Sequence, residues 1–174
     1  DWLSDHLASQ PPAAIINATA FSAQGPDGTT PFDAASCPAF QVALSTARRR
    51  DWDASPRGLS PADLAMHVVL PEVDGRLFSG LISFKSPGKR DPDLQFSRFA
   101  HRADAPRIAA VVARVTAWHR LATTPAPRRE LALVLSTYPG RAHQMAHAVG
   151  LDAPASTEAL LADLAMAGYG THAG

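Results

Sequence analysis

Three charged side chains follow a proline in the stretch LAMHVVLPEVDGR, residues 64–76. An apolar run is expected to break at Pro71, and Glu72, Asp74 and Arg76 come directly after it. Proline fixes φ, so Glu72 is presented from a defined bend. Glu72 and Asp74 point the same way if the segment is extended. The pattern therefore predicts a carboxylate pair that takes up protons or holds a hard cation.

The same residues also fit an ordinary surface turn. Asp74-Gly75 is a common turn dipeptide, and Glu72 can pair with Arg76 in solvent. His67 lies in the apolar stretch upstream, where a hydrogen-bonded core or helix-end histidine is the usual role. A metal ligand or a proton shuttle is the alternative for this imidazole. Residue types alone leave both interpretations open.

A second candidate site is STYPGR, residues 136–141, between a predicted buried strand and a predicted helix. Free N–H groups at a helix start, together with Arg141, form a natural seat for an anion such as a carboxylate. An ordinary strand–helix connection is the alternative. His143 and His147 are four residues apart, but Gln144 replaces the glutamate of the zinc-binding HExxH pattern. We interpret these histidines as solvated helix residues.

The common nucleotide-binding patterns are missing from the sequence. The segment FKSPGKR, residues 84–90, superficially suggests a phosphate loop, but it lacks the required upstream glycine and ends in arginine. Neither a Walker motif nor a GxGxxG motif is present. We therefore expect the chain not to bind or hydrolyse nucleotides in those ways.

Short apolar runs alternate with helical patterns along the chain. Strands are predicted over residues 13–21, 39–45, 77–84 (with a bulge at Gly80) and 131–137. Helices are predicted to start at Ser60, Asp104 and Ser156, and a further helix is predicted over residues 141–148. Loops are predicted over residues 22–38 and 85–98.

Strands that alternate with helices indicate an α/β fold, with a layered, largely parallel sheet flanked by helices. We predict a single domain over residues 1–174. In such folds the site lies at the carboxyl ends of the strands. Three loops compete for that place: 22–38, 71–76 and 137–141.

Composition excludes several classes of protein. Hydrophobic residues make up 46% of the 174 residues, which argues against disorder. The formal net charge is zero and there is no long run of like charge, so neither nucleic acid nor a membrane is an expected partner. The single cysteine, Cys37, excludes an internal disulfide. These features are typical of a soluble protein of the cytoplasm.

The sequence also resembles a known family. Three segments carry the likeness: RGLSPADLAMHVVLPEVDGR (57–76), AWHRL (117–121), and LALVLSTYPGRAHQMAHAVGLDAPAS (131–156) closing in LADLAMAGYG. They are similar to the large subunit of aerobic cobaltochelatase, CobN, which is related to the large subunit of magnesium chelatase. The likeness covers most of residues 39–170, in order, and GLSPADLA…LPEVDGR is its most specific part.

The resemblance implies that the chain is an excised part of a longer, tetrapyrrole-binding subunit. That subunit would insert Co²⁺, as substrate metal, into hydrogenobyrinic acid a,c-diamide during aerobic cobalamin biosynthesis in the cytoplasm. Separate ATPase and integrin-like subunits would use ATP and Mg²⁺, which this chain would not bind.

Metal insertion requires the removal of pyrrole N–H protons and partial dehydration of the cation. Given the resemblance, we expect Glu72 to accept protons or deliver the metal, with Asp74 and His67 in support. Glu72 and His67 are the expected metal ligands. Arg76 and Arg141 are expected to bind the acidic side chains of the macrocycle, because arginine suits carboxylates.

Two alternatives stay open at this point. The chain can be a structural or docking module of the chelatase subunit, with catalysis elsewhere. It can also belong to the magnesium enzyme. We prefer cobalt because STYPGR…HAVGLDAPAS resembles the cobalt branch more closely.

Overall fold

The computed structural model of the protein describes residues 2–136, 146 and 150–171. The elements up to the first long strand are α1 (Trp2–Ser9), β1 (Ile15–Asn17), β2 (Ala39–Ser45), α2 (Arg49–Asp53), α3 (Pro61–Leu64), a π-helical turn (Ala65–Val69) and α4 (Leu70–Val73). They are followed by β3 (Leu77–Asp91), β4 (Phe96–Ala103), α5 (Ala105–Thr123) and α6 (Ala153–Met166). The chain groups into two compact units, residues 1–119 and 120–174. The two units differ in which residues contact one another, and the single domain expected over residues 1–174 stays a prediction.

The described strands form one sheet in the order β1-β2-β3-β4. The first two pairings are parallel and the third is antiparallel. The expected mixed α/β fold with a mostly parallel sheet is therefore confirmed, whereas the layering of helices over the sheet stays a prediction.

Strand β2 lies at the centre of the parallel part and has the predicted bounds. Phe40, Val42 and Ala43 are fully buried, as expected for a strand covered on both faces. Opposite it, β3 carries one extra residue before Gly80, where the pairing shifts from Gln41–Phe78 to Val42–Gly80. The predicted bulge at Gly80 is confirmed.

The predicted loop over residues 85–98 is wrong. Strand β3 continues to Asp91 and pairs with β4, for example Lys85 with His101. Beyond Ser86 this hairpin is largely exposed, and its few apolar residues do not form the regular pattern of a packed strand. Pro87 lies at an irregularity of the pairing, where a missing N–H is tolerated.

The strand predicted over residues 131–137 is also wrong for residues 131–136, which form no strand. Their side chains are exposed, and Val134 retains 83% of its accessible surface. The apolar run therefore lacks the burial that such a run usually indicates. The predicted helix over 141–148 lies outside the described residues. The last helix begins at Ala153, capped by the Asp152 side chain, rather than at Ser156.

Residues 61–73 form one helical segment, which we call the crossover helix because it connects β2 to the parallel strand β3. The Ser60 hydroxyl accepts the Asp63 N–H at 3.1 Å, and Pro61 takes the first helical position. The predicted cap and helix start are confirmed.

The expected break at Pro71 is wrong, because the helix continues through the proline to Val73. A π-helical turn precedes Pro71, and in it the Leu70 N–H bonds to the Ala65 carbonyl. Proline has no N–H to donate to the next carbonyl, that of Met66. Instead, the Phe21 N–H donates to the Met66 carbonyl at 2.8 Å, and this bond holds the β1–β2 loop against the helix.

The crossover helix ends in a Schellman turn. Gly75 has φ +73°, and its N–H bonds to the Glu72 carbonyl at 2.9 Å while the Arg76 N–H reaches the Pro71 carbonyl at 3.2 Å. The predicted Asp74-Gly75 turn is confirmed. The extended arrangement is wrong, so Glu72 and Asp74 enter different environments.

Gly75→Ala is expected to lower the free energy of unfolding by about 1–2 kcal/mol, because an L side chain is strained at positive φ. A Cβ at this position meets no atom within 4 Å, so the loss measures backbone strain alone. Urea denaturation gives the difference. Gly75→Asn is the matched control and should lose less, since asparagine tolerates the left-handed region. Equal losses would contradict the assignment.

Candidate functional site

Two of the three candidate loops, 22–38 and 71–76, come together at Asp74. Its carboxylate accepts the Ala23 N–H at 2.6 Å and a hydrogen bond from the Ser22 hydroxyl. The junction lies at the amino ends of β2 and β3, so the expected position at the carboxyl ends of the strands is wrong for these loops. The reason is that the crossover helix runs back along the sheet and ends just before β3.

Arg76 is the centre of this junction and is only 2% exposed. One terminal nitrogen donates to Gln41 Oε1 at 2.9 Å, and the other donates to the Phe21 carbonyl and to Asp74, both at 2.5 Å. The guanidinium also lies over the Phe32 ring, 5.4 Å from its centre. This placement favours a structural role for Arg76. Its contact with the acidic groups of a substrate stays a prediction.

The Asp74 side chain is fully buried beside Arg76. Burial by itself would raise the pKa of this carboxyl. Hydrogen bonds from Ser22, the Ala23 N–H and Arg76, with the charge of Arg76, outweigh burial and hold the pKa below its ordinary value of 3.8. Asp74 is therefore a carboxylate that stabilises the fold. A supporting role in catalysis stays a prediction.

Glu72 lies on the last turn of the crossover helix and is exposed. Within the described part of the chain its carboxylate has no hydrogen-bond or ion-pair partner. Glu72 borders a depression of about 570 Å³, which is lined also by Phe40, Gly75, Arg76, Leu77, Phe78, Ser79, Arg114 and Trp118. An unpaired carboxylate beside aromatic rings can accept a proton from a flat, apolar ligand.

Sequence reasoning assigned no site role to Arg114 or to Trp118. Both lie on α5, four residues apart, and both line the depression. Trp118 is 47% exposed, and its ring packs edge to face with the buried Phe40 ring. The i,i+4 spacing was the available signal, since such residues share a helical face.

His67 is buried in the crossover helix, with 7% of its surface exposed. Burial lowers the pKa of its imidazole, the Asp63 carboxylate opposes this shift, and His101 adds to it. His67 does not line the depression that Glu72 borders. Among the described residues no group of three or more His, Cys, Asp or Glu side chains could hold a metal ion. Metal binding by Glu72 and His67 stays a prediction.

The unit formed by residues 120–174 has a larger cavity, of about 780 Å³. Arg129 and Tyr169 line it, and the Arg129 Nη1 donates to the Tyr169 hydroxyl at 2.9 Å. Arg141, His143 and His147 lie outside the described residues, so their predicted roles stay predictions. No helix in the described ranges is both long and apolar enough to cross a membrane.

The sequence belongs to the CobN/magnesium chelatase family, whose model matches residues 2–174. Two proteins named aerobic cobaltochelatase subunit CobN are similar to it. The one from Sinorhizobium sp is 33% identical over 91% of the chain, and the one from Pseudomonas aeruginosa is 37% identical over 97%. The chain spans only 13% of the length of each relative. The resemblance found in the sequence is confirmed.

A solved structure shares the fold. The catalytic subunit of cobaltochelatase from Mycobacterium tuberculosis has a TM-score of 0.75 and 31% sequence identity to the chain. The match covers 95% of this chain and 14% of that one. The fold is therefore that of part of a much longer chelatase subunit.

Asp74→Asn is expected to reduce the free energy of unfolding at pH 7 by about 3 kcal/mol, because it leaves the buried Arg76 charge without its counter-ion. The lowered pKa of Asp74 means that its contribution is complete well above pH 3.8 and is lost as the pH falls below that value. The gap between wild type and variant should therefore narrow at pH 3.

Chemical denaturation at the two pH values measures this gap. Asp93→Asn, an exposed change in the hairpin turn, is the control and should stay within about 0.5 kcal/mol of wild type. A gap that is small at pH 7, or that widens in acid, would show that the ion pair does not stabilise the fold.

Proposed function

We propose that this chain takes part in inserting a metal ion into a tetrapyrrole, with Glu72 as the group that accepts pyrrole protons or passes on the metal. One observation carries the proposal. The Glu72 carboxylate is exposed, has no partner among the described residues, and borders a depression with aromatic walls. The neighbouring acid, Asp74, is already committed to Arg76.

The chemistry of insertion suits this arrangement. A tetrapyrrole loses N–H protons from its centre as the metal enters, and the incoming cation must give up part of its water. An ionised carboxylate at the edge of an apolar surface can assist both steps, because it accepts protons and attracts the cation. Phe78, which is 38% exposed, gives the ring an apolar surface at the same place.

The complete reaction that we propose is the insertion of Co²⁺ into hydrogenobyrinic acid a,c-diamide in aerobic cobalamin biosynthesis. Cobalt is supported by the names of the similar proteins from Sinorhizobium and Pseudomonas aeruginosa. ATP-driven work falls to ATPase and integrin-like partner subunits, which is consistent with the lack of a nucleotide motif in the sequence. We place the reaction in the cytoplasm. The magnesium reaction is the alternative within the family.

A docking module is the second candidate function. It is favoured by the exposed apolar side chains of the second unit, which include Leu131, Val134 and Met166. Equilibrium titration with a porphyrin separates the two candidates, since a docking module does not need to bind the ring.

Glu72→Gln is expected to reduce the rate of metal insertion at least about 100-fold, because glutamine cannot accept a proton. The assay uses the complete polypeptide that carries this chain, together with its partner subunits, and measures the metallated product. Porphyrin affinity should change less than about threefold, because the amide has the same shape. Thermal unfolding should be unchanged, because the side chain is exposed.

Glu158→Gln on α6 is the matched control, an exposed glutamate that does not line the depression, and it should insert metal at the wild-type rate. A normal rate for Glu72→Gln would overturn the proposal.

A further inference from the structure

Helix α5 presents an arginine and a tryptophan to the same depression that Glu72 borders. Arg114 and Trp118 are four residues apart, so they are neighbours on one helical face. Both line the depression.

Trp118 forms a fixed apolar wall. Its ring meets Phe40 edge to face, with ring centres 5.8 Å apart and planes inclined by 72°. Phe40 is 1% exposed in the central strand, so this contact supports the indole on the side of the protein interior. Nearly half of the Trp118 surface is still open to solvent. A held but exposed aromatic ring is suited to contact with another flat ring.

Arg114 is tethered and still has donors to spare. Its Nη1 donates to the Ser79 carbonyl, at the residue that the β3 bulge leaves without a partner in β2. The rest of the guanidinium has no hydrogen-bond or ion-pair partner among the residues that the structure describes. Since a guanidinium carries five N–H donors in a planar fork, the tethered side chain can still bind a carboxylate.

Glu72 and Arg114 carry opposite charges in one depression, yet they do not pair with each other in the described structure. Each is therefore available to a ligand. A small anion such as phosphate could bind Arg114 but would leave the aromatic walls unused, whereas a neutral ring would leave Arg114 unused. A ligand that contacts Trp118, Glu72 and Arg114 together has a flat face, central N–H groups and acidic arms.

We propose that Arg114 and Trp118 select a planar macrocycle that carries carboxylates. Arg114 binds one carboxylate arm, and Trp118 lies against the ring face. This assignment rests on the function proposed for Glu72 and adds to it the groups that recognise the substrate. Arg114 takes the contact that was expected of Arg76, which the fold keeps buried.

Fluorescence titration of the complete polypeptide that carries this chain tests the assignment. The two probes are coproporphyrin, which has four carboxylates, and its tetra-amide. Arg114→Gln should weaken coproporphyrin binding about tenfold or more and leave tetra-amide binding unchanged, because only the acid makes a charged hydrogen bond. Trp118→Leu should weaken both probes equally. Arg114→Lys keeps the charge and should retain most of the affinity for coproporphyrin.

Arg102→Gln, an exposed change on β4, is the control and should bind both probes like wild type. Equal effects of Arg114→Gln on the two probes, or none, would overturn the role of Arg114, and so would failure of the wild-type protein to bind coproporphyrin. Metal insertion with Glu72→Gln keeps the two proposals apart. If Glu72→Gln loses metal insertion while Arg114→Gln binds coproporphyrin like wild type, the proposed function holds and the role of Arg114 is overturned.

Discussion

The buried ion pair between Arg76 and Asp74 is the interaction on which the rest of the first unit depends. A guanidinium out of contact with water is unfavourable unless its charge and its donors are satisfied. Here Asp74 balances the charge, and Asp74, Gln41 and the Phe21 carbonyl accept hydrogen bonds from the two terminal nitrogens, while Nε has no hydrogen-bond partner among the described residues. The pair thereby joins the central strand, the β1–β2 loop and the end of the crossover helix. The ion pair therefore also fixes the position of Glu72, which lies on the last turn of that helix.

A second anchor results from a proline. Pro71 removes a donor from the helix, the π-helical turn leaves the Met66 carbonyl available, and the Phe21 N–H binds it. The Met66 carbonyl thus holds the β1–β2 loop in addition to the Asp74 carboxylate and the Arg76 guanidinium. A π-helical turn is an irregularity often found at functional sites. Here it gives an irregular loop a definite course next to the candidate site.

Local signals in the sequence predicted the elements that local chemistry controls. The apolar run of β2, the Ser60 cap and the Asp74-Gly75 turn were all found as expected. The β3–β4 hairpin was missed because its exposed residues have no apolar pattern, and the apolar run after residue 130 was misread because the fold does not bury it. Sequence reasoning singled out Glu72, but it could not tell that Arg76 faces inward and Arg114 faces the depression. That difference arises from tertiary packing.

The charges near the depression therefore divide into two groups, a buried pair that stabilises the fold and an open pair that can meet a ligand. A crystal structure of the protein with coproporphyrin bound tests this division most directly. We expect the ring against Trp118, the Glu72 carboxylate about 3 Å from a ring nitrogen, and Arg76 still bound to Asp74. A macrocycle bound away from Glu72, or an Arg76 that leaves Asp74 to bind the macrocycle, would contradict the division.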